Sequence, residues 1–132
     1  MSRCGYSEDC EHLDLYRANV DRTINGRTGQ SFLRELAKSL DDMPVKELIA
    51  NELVTEDGRV CAIGSVCKSR GIDVSNIDYE SPEAVGKAVG ITWMLAAEIE
   101  YQNDETRWAT EAPANRWLRM REWVEEKLIK TD

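Results

Sequence analysis

Residues 83–100, Glu-Ala-Val-Gly-Lys-Ala-Val-Gly-Ile-Thr-Trp-Met-Leu-Ala-Ala-Glu-Ile-Glu, carry the punctuation of two short helices joined by a tight turn. Gly90 stops the first helix, because a residue without Cβ enters left-handed backbone without strain. Ile91 is the apolar plug of the turn, and Thr92 offers a hydroxyl to the free amides of the helix that follows. Upstream, Ser81 is a natural cap and Pro82 a natural first helical residue. This is helix-turn-helix spacing, and it commits the middle of the chain to helix. In a DNA reader the second helix enters the major groove and presents Arg, Lys, Asn or Gln to the bases. Here it carries Glu98 and Glu100 and no cation. The scaffold pattern is present, but its charge opposes phosphate.

The flanking segments extend the same architecture. Leu13, Tyr16, Val20 and Ile24 share one helical face, and Gly26 stands where that helix should stop. Phe32, Leu33, Leu36, Leu40 and Met43 form a second stripe, ended by Pro44. Between them Asn25-Gly-Arg-Thr-Gly29 reads as a tight linker, which predicts an antiparallel helix pair. Leu48 to Val54 is apolar and partly β-branched, and Glu56-Asp-Gly58 is a turn signal. A short hairpin fits, and so does a helix end followed by a loop and a new helix. The pattern favours a helix through residues 61–70 closed by Gly71, with at most a two-stranded ribbon around Asp57-Gly58. Residues 72–80 read as loop. A last helix is predicted from about Pro113 to about Lys130, with Trp117, Met120, Val124 and Leu128 as its core stripe. The expected fold is mainly α: one compact domain over residues 1–132, a bundle of five to six short helices.

Composition bounds the function. The chain has 132 residues, enough to bury a core without metal or disulfide staples. It carries 25 acidic and 17 basic residues, a net charge of −8. That balance repels nucleic acid and can attract a basic partner surface. No stretch is long and apolar enough for a bilayer span, and the first residues lack the apolar core of a signal peptide. A cytoplasmic setting follows as the expectation, with the four cysteines as reduced thiols. No membrane contact and no cofactor are expected.

Several segments together look like one family. They are Cys4-Gly-Tyr-Ser, Gly26-Arg-Thr-Gly-Gln-Ser-Phe-Leu-Arg-Glu-Leu36, Leu48-Ile-Ala-Asn-Glu-Leu53, Gly58-Arg-Val-Cys-Ala-Ile-Gly64 and Pro113-Ala-Asn-Arg-Trp-Leu-Arg-Met-Arg-Glu-Trp123. The chain resembles, over nearly its whole length, a family of small uncharacterised proteins encoded in bacteriophage and prophage genomes. The resemblance transfers no catalytic residue. It implies a phage accessory protein in the cytoplasm of an infected bacterium, where such proteins often bind and inhibit a host enzyme or defence complex.

Four constellations are candidates for chemistry. The C-terminal helix is expected to present Arg116, Arg119, Trp123, Lys127 and Lys130 on a face apart from its core stripe. Trp123 lies roughly 120° from the centre of that stripe by helical geometry. Trp and Arg are enriched at binding hot spots, and an aromatic flanked by cations suits an acidic or phosphorylated partner. The alternative is that Trp123 packs on a neighbouring helix and the cations pair with carboxylates. Second, Glu98, Glu100, Asp104 and Glu105 form a run without a cation, with a sparser run at Asp73, Asp78, Glu80 and Glu83. Such rows could mimic DNA in a basic channel, or be no more than a solvated face. Third, Cys4, Cys10 and His12 could support a zinc-stabilised module or a small enzyme, although their spacings are poor for zinc. Cys61 and Cys67 sit six apart, on different faces of one helix, which suggests buried apolar groups. Fourth, the helix-turn-helix segment could belong to a regulator, against its charge. The favoured expectation is a non-catalytic protein that binds a host protein, not nucleic acid, through the Trp123 face and the acidic run, with no metal and an oligomeric state left open.

Overall fold

The local signals at each helix boundary are met by specific atoms. The computed structural model describes residues 10–104 and 111–130, and the side chains from residue 15. Among the described residues the order is α1 (Cys10–Asn25), α2 (Arg27–Asp42), α3 (Ala62–Arg70), α4 (Pro82–Val89), α5 (Trp93–Asp104) and α6 (Pro113–Lys127). Ser81 caps α4 by accepting from the Ala84 amide at 3.2 Å, with Pro82 at the first helical position. Gly90 closes α4 at φ 83°, the left-handed region that favours glycine. Thr92 Oγ1 then accepts from the Leu95 amide at 3.1 Å and opens α5. Ile91 is buried in the turn. The helix-turn-helix punctuation therefore forms as its residues dictate, and the fold is mainly α.

The linker before α2 differs from the expectation. α1 runs to Asn25 and α2 starts at Arg27, so Gly26 alone separates them. Its extended backbone lets the Gly26 amide bond Arg22 O while the Gln30 amide bonds Gly26 O. The chain changes direction at one residue because the second helix crosses tightly on the first. A Cβ at Gly29 would sit 2.0 Å from the Thr23 carbonyl oxygen, so no larger residue fits.

Residues 43–61 link α2 to α3 and form no strand. Val54 and Val60 make an isolated antiparallel bridge around the Asp57-Gly58 turn, and the Cys61 amide returns to Leu53 O at 3.1 Å. The short ribbon is thus reduced to one bridge. α3 follows, with Cys61 as its cap: the sulfur accepts from the Gly64 amide at 3.3 Å.

α2 and α5 organise the core. α2 packs on α1, α3 and α6, while α5 packs on α1, α3, α4 and α6. Leu33, Leu36 and Leu40 of α2 share one buried cluster with Leu48, Ile63 and Val66, and Leu95 and Ile99 of α5 belong to the same cluster. Burying such side chains supplies roughly 1.5–3 kcal/mol each against exposure. Cys61 and Cys67 belong to this cluster as buried thiols. Burial pushes the Cys61 thiol up to about 12. No described helix is long and apolar enough to cross a membrane.

Candidate functional site

α6 turns Arg116, Arg119 and Trp123 inward, which corrects the expected binding face. Trp123 is 8% exposed and belongs to the core with Met120 and Val124. Trp117, expected as the centre of the stripe, is only half-buried; its indole N–H donates to Leu40 O at 3.1 Å. Lys46 Nζ lies 5.6 Å from its ring centroid. The cations next to Trp123 are equally committed. Arg116 is 5% exposed and donates to Asn103 O at 3.0 Å and Leu48 O at 3.2 Å. Arg119 forks onto the Glu111 carboxylate at 2.8 and 2.7 Å and also donates to Gln102 O and Asn103 O.

The physical reason is the end of α5. The last carbonyls of a helix lack partners within it. Gln102 and Asn103 stand at that end, and α6 satisfies their carbonyls with two guanidiniums. Glu111, itself buried, balances the charge, and the Arg119 hydrogen bond holds its carboxyl below the usual range. α6 thus acts as a clasp on α5 and, through Trp117, on the end of α2. Of the remaining cations on the expected face, Lys127 is half-buried and Lys130 is exposed and paired with Glu125. The structure gathers none of this set into an open aromatic-cationic patch.

The acidic run is also divided by the fold. Glu98 is 5% exposed and accepts from Arg17 of α1 at 3.0 Å and from Gln102 at 3.0 Å. That pair pins α1 to α5, and Glu98 is no surface charge. Asp104 accepts from the Asn51 amide at 3.2 Å, from Asn103 Nδ2 at 2.7 Å and from the Tyr79 hydroxyl. Glu105 lies outside the described residues, as do Cys4 and the side chains of Cys10 and His12. Asp73 and Asp78 take up backbone amides in the loop before α4, at 3.0 and 2.9 Å. A continuous row of exposed carboxylates, as DNA mimicry needs, is therefore not what residues 98–104 present.

What remains outward on α5 is a different surface. Trp93, Ala97, Glu100, Tyr101 and Asp104 recur at the spacing of one helical face. Trp93 is 46% exposed and Tyr101 38%. Against this face, between α5, the start of α4 and residues 51 and 79–80, lies a cleft of about 370 Å³. Tyr79, Ala97 and Tyr101 give it apolar walls, while Glu80, Glu100 and Asp104 give it carboxylates. Among the described residues no cation lines it. Glu100 is the unusual member. Its Oε2 is buried without a hydrogen-bond partner among the described residues. Burial, helped by the neighbouring Asp104 charge, pushes its carboxyl up to about 7. Burial also raises Tyr79, so that it stays a hydroxyl donor to Asp104.

Sequence reasoning placed Glu100 and Asp104 in the candidate set but missed Trp93, Tyr79 and Tyr101. The signal for Trp93 was available: it follows Thr92 on the first turn of the second helix, at the position where such helices meet a partner. Tyr79 reaches the cleft from a loop, which no periodicity marks. A larger groove, about 470 Å³, opens beside Met43, Pro44 and Val45 and is rimmed by Arg59 and Lys68. Lys68 Nζ is engaged with Gly58 O at 2.9 Å. Among the described residues no group of His, Cys, Asp and Glu has a metal-holding arrangement.

No known protein family, curated protein or solved structure matches the chain.

Proposed function

We propose that the protein is a phage-encoded accessory protein that acts by binding a host protein or protein complex in the bacterial cytoplasm and modulating it, not by catalysis. The phage setting rests on the resemblance of the segments between Cys4 and Trp123. The binding reading rests on the outward face of α5. In a helix-turn-helix scaffold this second helix is the one that meets the ligand. Here its exposed face joins Trp93 and Tyr101 to carboxylates and carries no Lys, Arg or His between residues 93 and 104. Such a face repels phosphate and suits a basic protein surface. The contact set moves accordingly from Trp123 and its flanking cations to Trp93, Tyr101, Glu100 and Asp104.

The test is affinity capture from bacterial lysate, identification by mass spectrometry, and reconstitution of the complex from purified components. A complex that survives size-exclusion chromatography and is weakened by Trp93→Ala is the expected result. Failure of every captured protein to reconstitute a complex would overturn the reading. Strong binding of duplex DNA at about 150 mM salt would instead favour a regulator.

A further inference from the structure

We propose that the cleft between α5 and the loop preceding α4 receives an arginine side chain from a basic segment of the partner, with Tyr101 and Tyr79 beside the guanidinium and Glu100 and Glu80 accepting its donors. The inference deepens the binding reading above and rests on it. Four observations carry it. The cleft is walled by two tyrosines and Ala97, so a flat, weakly hydrated cation fits better than a bare ion. Among the described residues three carboxylates and no cation line it, so the charge is complementary to a cation. Glu100 Oε2 is buried and lacks a partner among the described residues, which is the condition a donor from outside would relieve. Trp93, one helical turn before Ala97, extends the aromatic surface beyond the cleft for the rest of a peptide.

A guanidinium is favoured over two competitors. A divalent metal needs several free oxygen ligands. Both oxygens of Asp104 already accept hydrogen bonds, from Asn51, Asn103 and Tyr79, which leaves only Glu80 and Glu100 among the cleft carboxylates, fewer oxygens than such a cation takes. A lysine ammonium brings the charge, but it is compact and strongly hydrated and gains less from the tyrosine walls. Among the described residues the titratable groups around Glu100 are Asp104 on its own helix, Tyr79 and Glu80 from the preceding loop, and Cys61 at the start of α3. All of these are acids, so none of them supplies a positive charge.

The experiment uses fluorescein-labelled hexa-arginine amide and hexa-lysine amide as probes, read by fluorescence anisotropy at about 150 mM salt, where long-range attraction is screened. Two double variants of the full chain remove the same charge: Glu80→Gln with Glu100→Gln in the cleft, and Glu122→Gln with Glu126→Gln on the exposed side of α6. The cleft variant is expected to weaken hexa-arginine by about tenfold and the α6 variant by less than about twofold. Hexa-lysine is expected to bind several-fold more weakly than hexa-arginine. Equal weakening by the two double variants, or equal affinity for the two peptides, would mean general attraction to an acidic protein and would overturn the cleft. So would the absence of hexa-arginine binding. If the reconstituted partner complex nonetheless persists in the cleft variant, the binding function stands and only the arginine pocket falls. Thermal melts of both variants confirm that folding is retained, and Tyr101→Phe serves as a variant that keeps the ring wall.

Discussion

Trp123 on α6 and Trp93 on α5 are both helical tryptophans, yet one is 8% exposed and the other 46%. The difference lies in what each helix must satisfy. α6 crosses the open end of α5, so its arginines turn toward the Gln102 and Asn103 carbonyls and its tryptophan follows them into the core. α5 begins at an exposed turn, and Leu95, Ala96, Glu98, Ile99 and Asn103 are its buried side. Trp93 lies off that side, at the exposed start of the helix. Composition alone makes α6 resemble a hot spot, because Trp and Arg are enriched there. The same residues are equally suited to closing a helix end, and burial decides between the two uses.

The largest effects should come from breaking the clasp. Arg116→Ala takes the Arg116 donor from the Leu48 carbonyl, leaves the Asn103 carbonyl with Arg119 alone of its two guanidiniums, and leaves Glu111 with less positive charge; it is expected to cost about 3–5 kcal/mol, as when one partner of a buried ionic group is removed. Trp123→Ala should cost a similar amount, about 3–5 kcal/mol, through the cavity it opens. Chemical denaturation measures both, and a loss below about 1 kcal/mol for Trp123→Ala would return that side chain to the surface. Trp117→Ala should fall between, about 2–3 kcal/mol, since a half-buried ring and one hydrogen bond to Leu40 are lost.

On the other helix the order reverses. Trp93→Ala should change stability by no more than about 0.5 kcal/mol, the range of surface substitutions, while weakening the partner complex. An equally large stability loss at both tryptophans would erase the distinction between the helices. The smallest effect is a pH dependence. Glu100 titrates at about 7 in the folded protein and at the ordinary, lower carboxylate value when unfolded. The folded state therefore holds its proton more tightly, so stability falls as pH rises from about 5 through 7. Glu100→Gln removes that penalty. It should stabilise the protein by about 1 kcal/mol at pH 8, a figure reduced for the partial exposure of the group, and by little at pH 5. Melting curves at the two pH values check it; a gain of the same size at both would show that the carboxyl is not perturbed.

The sequence by itself determined the helices and their ends. Gly71, Ser81, Pro82, Gly90, Thr92 and Pro113 act through backbone conformation and short-range hydrogen bonds, and these depend on neighbours a few residues away. The apolar stripe of α2 was legible for the same reason, since helical periodicity is local. What the sequence left open was decided by contacts between distant residues. Whether Glu98 is a surface charge depends on Arg17, and whether Arg116 is free depends on Asn103 and Leu48. The α1–α2 junction shrank to Gly26 because Gly29 lets two backbones touch. Only the tertiary structure assembled the cleft, because Tyr79 and Glu80 come from a loop and Glu100 and Tyr101 from a helix, and burial there depends on both at once.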